Sequence, residues 1–181
     1  MEYQKALQEA RFGIKILERH TQRLDLTGCI RRKENNIEKI ELLSIKKGFV
    51  IDTALNTLKK QKIIKIDKFG CHCVEFTHKF IAMPVKITFC LVDNWGIIQM
   101  ILTGEDEFKK RMKRIIKHAE LTIGNDSANP TQPTDYIRDM MGSIIPVKEE
   151  EQLFDLLGEK YVEPENRLNR KPCDANFVIE N

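Results

Sequence analysis

Residues 27–45 read TGCIRRKENNIEKIELLSI, and their order decides how the rest of the chain is read. Thr27-Gly28-Cys29 is a tight turn built on glycine. Arg31 and Arg32 follow, then a polar connector, then a run from Lys39 to Ile45 in which apolar residues take over and a strand begins. On a strand, residues two apart project from one face, so Lys39 and Glu41 share a side. A glycine turn can aim backbone N–H groups at an anion. The planar fork of arginine suits phosphate.

On the N-terminal side, Tyr3, Leu7, Ala10, Ile14 and Leu17 recur at helical spacing, which predicts an amphipathic helix over 2–19. A short extended piece, Arg23–Leu26, leads into the Gly28 turn. Beyond the strand, Lys46-Lys47-Gly48 breaks the pattern, and residues 49–60 carry Ile51, Leu55 and Leu58 at helical spacing. Residues 62–92 read as three strands: KIIKI, then Cys71–Phe76 after turn residues 67–70, then Pro84–Val92. In the last of these Val85, Ile87, Phe89 and Leu91 alternate with Lys86, Thr88 and Cys90. Residues 93–96 read as a turn and Ile97–Leu102 as a buried strand. A helix from Glu105 to about His118 follows, with Phe108, Met112, Ile115 and Ala119 as its apolar stripe and acids crowding its first turn, as the helix dipole favours. Leu121–Ile123 is a short strand, residues 124–142 a long polar loop with a helical turn at Tyr136–Met141, and Lys148–Leu157 a helix. The residues after Arg167 form a polar tail.

A chain of 181 residues with 41% hydrophobic and 31% charged side chains has an ordinary globular balance. Its net charge of +3 does not by itself require a nucleic-acid partner. No apolar run reaches the ~20 residues that span a bilayer, and the charged N-terminus has no signal-peptide core. A cytoplasmic, nuclear or viral location is expected, with neither secretion nor membrane attachment. The five cysteines read as reduced thiols. Cys71, Cys73 and Cys90 with the neighbouring histidines lack the spacing of a structural zinc site, and no metal is expected there.

Four blocks in this order resemble the family X DNA polymerases, within the nucleotidyltransferase superfamily. The first is the opening stretch, similar to G-S-[FY]-R-R-G-K-E-x-x-G-D-x-D, in which Gly28, Arg31 and Arg32 match and Cys29 replaces serine. The second is Met83–Thr88, similar to R-V-D-L-R. The third, I-Q-M-I-L-T-G-E-D-E-F, resembles L-Y-F-T-G-S-x-x-F, with Thr103, Gly104 and Phe108 matching. The fourth ends in Gly158, Tyr161, Pro164 and Arg167, as the family's "Leu-Gly…Tyr-x-x-P-x-x-R" does. The resemblance covers roughly residues 2–168. It implies an α+β fold: a nucleotidyltransferase-type palm over 1–103, with a mixed sheet and helices on one face, then a small α/β subdomain over 104–168 and a polar tail over 169–181.

The departures fall at the chemical positions. Lys39 and Glu41 stand where the family has two metal-binding aspartates, and Lys86 where it has the third. Two divalent ions between such aspartates stabilise the attacking and leaving oxygens, whereas a lysine cannot ligate Mg²⁺. No catalytic residue and no cofactor are therefore expected. The resemblance places phosphate or nucleotide contacts at Gly28, Cys29, Arg31, Arg32, Lys39, Lys86, Thr103 and Gly104. It places nucleic-acid contacts at Lys109, Lys113 and Lys117, which share a helix face and can follow a phosphate backbone.

Lysine, glutamate and lysine together carry the same single net positive charge as three aspartates with two divalent ions, so an anion site rebuilt without metal is one expectation. A decayed site, its lysines bridged to Glu41, is the other. Cys29, at a turn followed by two arginines, is expected to have a lowered pKa, although no general base can be named for it. The function expected is an inactive polymerase-like protein that keeps a DNA- or nucleotide-phosphate-binding surface and acts as an accessory or regulator in DNA metabolism. One alternative is an active nucleotidyltransferase using Mg²⁺ on relocated ligands such as Glu41 and Glu38. Another is a protein-interaction module that makes contact through loop 124–142 and the tail.

Overall fold

The computed structural model describes residues 1–124 and 135–168. The middle of the expected loop and the expected tail, with the protein-contact surfaces assigned to them, lie outside the described residues.

The fold is α+β. Helix α1 (Tyr3–Leu17) buries Ala6, Ala10, Gly13 and Leu17, while Tyr3, Leu7 and Ile14 are half-buried along the flank of that stripe. Strand β1 (Thr21–Leu26) enters the Gly28 turn, which continues as one helical turn, α2 (Gly28–Arg31). Next come β2 (Ile40–Lys46), α3 (Val50–Lys60), β3 (Ile64–Phe69), β4 (Cys73–His78) and β5 (Val85–Cys90). The five strands form one mixed sheet in the order β1-β2-β5-β4-β3. Its central pair, β2 and β5, is parallel, and the other pairs are antiparallel.

The register of β2 on β5 explains how the two faces differ. Ile40, Leu42 and Ser44 lie beside Val85, Ile87 and Phe89, and the apolar side chains among them meet α1 and α3 in a first hydrophobic cluster. Glu41, Leu43 and Ile45 lie beside Lys86, Thr88 and Cys90 on the opposite face. That second face is charged at one end, whereas Leu43, Ile45 and Cys90 at the other end join a second cluster built on the C-terminal elements. Helices are thus not confined to one face, as expected from sequence: the C-terminal elements cover part of the other, because β2 is apolar on both sides there.

Those elements are α4 (Trp95–Thr103), α5 (Asp106–His118), β6 (Thr122–Gly124), β7 (Tyr136–Arg138), β8 (Ile144–Ile145) and α6 (Glu150–Leu156). Residues 97–102, expected as a strand, are helical, and the expected turn at 93–96 holds a 3₁₀ turn and the first residues of that helix. A continuous apolar run carries no period that separates a buried helix from a buried strand. Packing settles it: α4 buries Trp95, Gly96, Ile97, Ile98, Gln99, Met100 and Thr103. Gly96 lies so close to the Glu149 carbonyl and the Val147 side chain that a methyl group would overlap both. Its N–H donates to the Val147 carbonyl at 2.8 Å.

Helix α5 buries Phe108, Met112 and Ile116 rather than the expected Phe108-Met112-Ile115-Ala119 stripe, and Ala119 is exposed. The helical turn expected at 136–141 is instead strand β7 and a hairpin. Tyr136–Arg138 pairs with β6 on one side and β8 on the other. The Asp139 carboxylate accepts the Met141 and Ser143 N–H groups at 2.9 and 2.8 Å, and Gly142 takes φ +82° to close the turn. Pairing with strands distant in sequence overrode the local preference.

Candidate functional site

The charged end of the open face carries a row that crosses three strands. Glu41 on β2 is the register neighbour of Lys86 on β5, and Lys86 is in turn the neighbour of Glu75 on β4. Lys39 Nζ lies 3.1 Å from a Glu41 carboxylate oxygen, and Lys86 Nζ lies 3.9 Å from Glu75. The bond to Glu41, followed by the attraction of its charge, raises the Lys39 pKa above the ordinary lysine value. The structure brings Lys39, Glu41 and Lys86 together, and it adds Glu75, which sequence reading missed. Two ammonium groups and two carboxylates make the row neutral, which corrects the single positive charge counted from three residues.

The glycine turn meets the same row. Gly28 has φ +62°, a region costly for residues with a Cβ, and a methyl there would overlap the Glu41 carboxylate. The Thr27 N–H donates to the Glu41 carbonyl at 2.9 Å. The space over the turn is therefore filled by the protein's own carboxylate. Burial, then the charge of Glu34, raises the Cys29 pKa. The lowered value expected from the two arginines is corrected: the thiol is withdrawn from water and faces carboxylates as well as Arg32.

Both arginines turn toward the C-terminal elements. Arg32 is buried, pairs with Glu34 and donates to the Thr103 carbonyl at the end of α4; its other amino group donates to Cys29 Sγ at 3.3 Å. Arg31 donates to Thr103 Oγ1 at 3.0 Å and lies 2.7 Å from Glu150 on α6. Burial acts to lower the Arg31 pKa, but the bond and charge of Glu150 outweigh it and leave the value raised. Thr103 is itself fully buried, and Gly104 packs so close to the Phe108 ring that a side chain would strike it.

A cleft of about 470 Å³ runs between the row and the first turn of α5, lined by Arg32, Glu41, Ile101, Leu102, Gly104, Glu105, Asp106 and Lys109. A second cleft, of about 510 Å³, shares Ile101 and is bordered by Lys113 and Lys117. Lys109 thus lies on the rim of the first cleft, and Lys113 and Lys117 on the rim of the second. Lys109 is held by Asp106 at 2.7 Å, Lys110 by Glu107 at 2.7 Å and Arg111 by Glu159 at 3.4 Å. Lys113 and Lys117 are exposed and make no ion pair among the described residues.

The pair of divalent ions that the family resemblance implies does not fit these residues. Each carboxylate of the row has an ammonium group beside it, and among the described residues no three of His, Cys, Asp and Glu come together as a metal site.

The residues matched near the C-terminus have a structural role. Arg167 is fully buried, bonds to Glu150 at 2.5 Å and donates twice to the Val162 carbonyl. It stands against the rings of Phe108, Phe154 and Tyr161. Gly158 takes φ +66° just past the end of α6, where glycine commonly terminates a helix. The Tyr161 hydroxyl reaches Glu150 at 3.2 Å. Glu150 is thus shared by Arg31 from the turn and Arg167 from the C-terminal end. The sequence gives no local sign of this, because its partners are 119 positions before it and 17 positions after it.

No helix among the described residues is long and apolar enough to cross a membrane. No curated protein matches the chain. Residues 99–168, from within α4 to Arg167 and the residue after it, match the family model described as the DNA polymerase beta thumb. The likeness to an X-family DNA polymerase is carried by these thumb-like residues.

Proposed function

We propose that the protein is a DNA-binding relative of the X-family polymerases that holds DNA by its phosphates along α5, performs no metal-dependent nucleotide transfer, and serves DNA metabolism as an accessory or regulator. The observation that carries this reading is the ion-paired row: Lys39 and Lys86, which the sequence resemblance sets against the family's metal-binding aspartates, are engaged by Glu41 and Glu75. The thumb match supports the DNA side of the reading. Lys113 and Lys117, without an ion pair among the described residues, supply cations for phosphate. Replacing Lys109, Lys113 and Lys117 with glutamine should weaken binding to every DNA sequence alike, because phosphate contacts position a protein without reading bases. The salt dependence of log affinity should fall by roughly 0.7 to 0.9 for each phosphate no longer neutralised. A primer-extension assay with Mg²⁺ or Mn²⁺ should give no product. Extension that disappears in Glu41→Ala would return the enzyme alternative, and unchanged affinity in the triple variant would remove α5 from the interface.

A second reading, binding of a free nucleoside triphosphate without metal, is favoured by one observation: Arg32, Glu41, Gly104 and Lys109 converge on one cleft. A triphosphate there must displace the Glu41 carboxylate from the Gly28 turn. Calorimetry with and without a chelator separates the cases. Binding that survives chelation supports this reading, and binding only with metal supports the enzyme.

A further inference from the structure

Strand β3 is the last strand of the five-stranded sheet, so one of its edges has no strand beside it among the described residues. A cleft of about 420 Å³ lies against the β3–β4 pair on this side of the sheet, bordered by Lys59 and Lys62 from the end of α3 and beyond it, Lys65 from β3, and Lys79 just past β4. All four are exposed. The Lys79 N–H donates to the Ile63 carbonyl at 2.9 Å, and Lys65 is the register neighbour of Thr77, so Lys65 on β3 and Lys79 beyond β4 lie diagonally across the pair. Lys65 pairs with Asp67 at 3.2 Å; the other three make no ion pair among the described residues. The result is a concentrated positive field around a concave surface at this end of the sheet.

The same corner carries an aromatic platform. His78, at the end of β4, is 6% exposed, and the rings of Phe12 and Phe80 flank it with centroids 5.9 and 5.8 Å away. The Phe80 N–H donates to His78 Nδ1 at 3.1 Å, which fixes the start of the exposed turn. The Phe80 side chain is 65% exposed, with the Lys79 ammonium 5.7 Å from its ring. A ring held in water by its own backbone turn is prepared for a planar partner and loses little freedom on binding it.

Lysines on a free edge also deter strand-to-strand aggregation. That role accounts for Lys62 and Lys65, but it gives no reason for an exposed phenylalanine, which works against solubility. A duplex hides the faces of its bases, whereas a single strand presents them next to its phosphates. We propose that this edge is a second nucleic-acid site, specific for single strands, in which Lys59, Lys62, Lys65 and Lys79 hold phosphates and Phe80 stacks on an unpaired base. It uses none of the α5 residues, so it stands or falls separately from the function proposed above.

The test measures fluorescence anisotropy of a labelled oligo(dT) and of a hairpin duplex of equal length against the full chain. Phe80→Ala should weaken oligo(dT) binding by about 5- to 150-fold, the range of one stacked base, and leave the duplex unaffected. Phe80→Trp should retain single-strand binding. Changing the four lysines to glutamine should reduce the single-strand salt slope by about 0.7 for each phosphate no longer neutralised. The Lys109, Lys113 and Lys117 variant should keep its sensitivity to Phe80→Ala. Thermal melts confirm that each variant is folded. Equal oligo(dT) binding by the parent, Phe80→Ala and the four-lysine variant overturns the proposal. So does self-association of the four-lysine variant in light scattering with no change in affinity, which assigns the lysines to edge protection.

Discussion

Replacing Glu150 by alanine removes a carboxylate that Arg31 and Arg167 share. Glu150 is 1% exposed and Arg167 is fully buried. Without the carboxylate, Arg167 keeps the Val162 carbonyl and three aromatic faces but loses its only counter-charge among the described residues. Removing one partner of a buried ion pair costs about 3–5 kcal/mol, most of it the unpaired charge left behind. Arg31 adds little, because its side chain is 18% exposed and still reaches Thr103. For a chain of this size, about 2–4 °C is lost per kcal/mol, so the melting temperature should fall by roughly 6–20 °C. Urea unfolding followed by circular dichroism gives the free energy directly. Glu150→Gln, which keeps a carbonyl acceptor but no charge, should fall between the parent and Glu150→Ala. Glu150→Leu combined with Arg167→Met removes both buried charges and should be more stable than Glu150→Ala. A loss below about 1 kcal/mol for Glu150→Ala, or a double variant no more stable than the single, would refute the claim that this carboxylate neutralises Arg167.

Three other outcomes test the site. Gly28→Ala should cost about 1–2 kcal/mol from its left-handed backbone, plus the overlap with Glu41; adding Glu41→Ala should recover only the overlap, and a neutral Gly28→Ala in urea unfolding contradicts this account of the turn. Lys39→Asp with Lys86→Asp places new carboxylates beside Glu41 and Glu75, so calorimetry should detect Mn²⁺ binding absent from the parent; equal binding by both proteins counts against the role given to the lysines. Burial lowers the His78 pKa from the ordinary histidine value of 6.5, so the folded state binds fewer protons than the unfolded state in the window just below 6.5. The stability linked to this histidine is complete above that value and is lost as pH falls through the folded pKa. His78→Phe should therefore flatten stability across that window, and an unaltered pH profile argues that His78 does not titrate there.

Much of the fold was legible in the residues, for local reasons. The alternation from Val85 to Phe89 placed Lys86 on the face opposite the core, and the helical spacing of Ile51 and Leu55 identified α3. Gly28 announced a backbone that only glycine adopts cheaply. The stretch 97–102 was not legible, because uniform apolar character has no period; only packing against residues 147–149 and α6 makes it a helix. Strand β7 was equally hidden, since its stability comes from β6 and β8 on its two sides.

The family resemblance also named Lys39, Glu41, Lys86, Arg31 and Arg32 as the residues in question, because each falls within a short motif that is read along the chain. What each faces is not local. Glu75 joins the row through strand register, Glu150 meets Arg31 through the docking of α6, and the Glu41 carboxylate covers the Gly28 turn because β2 runs beneath it. An electrostatic site is a sum over neighbours in space, in which each Coulomb term weakens with separation and is screened by salt beyond about 10 Å. Chain order fixes which charges exist, and only the tertiary fold brings the compensating carboxylates close enough to neutralise them.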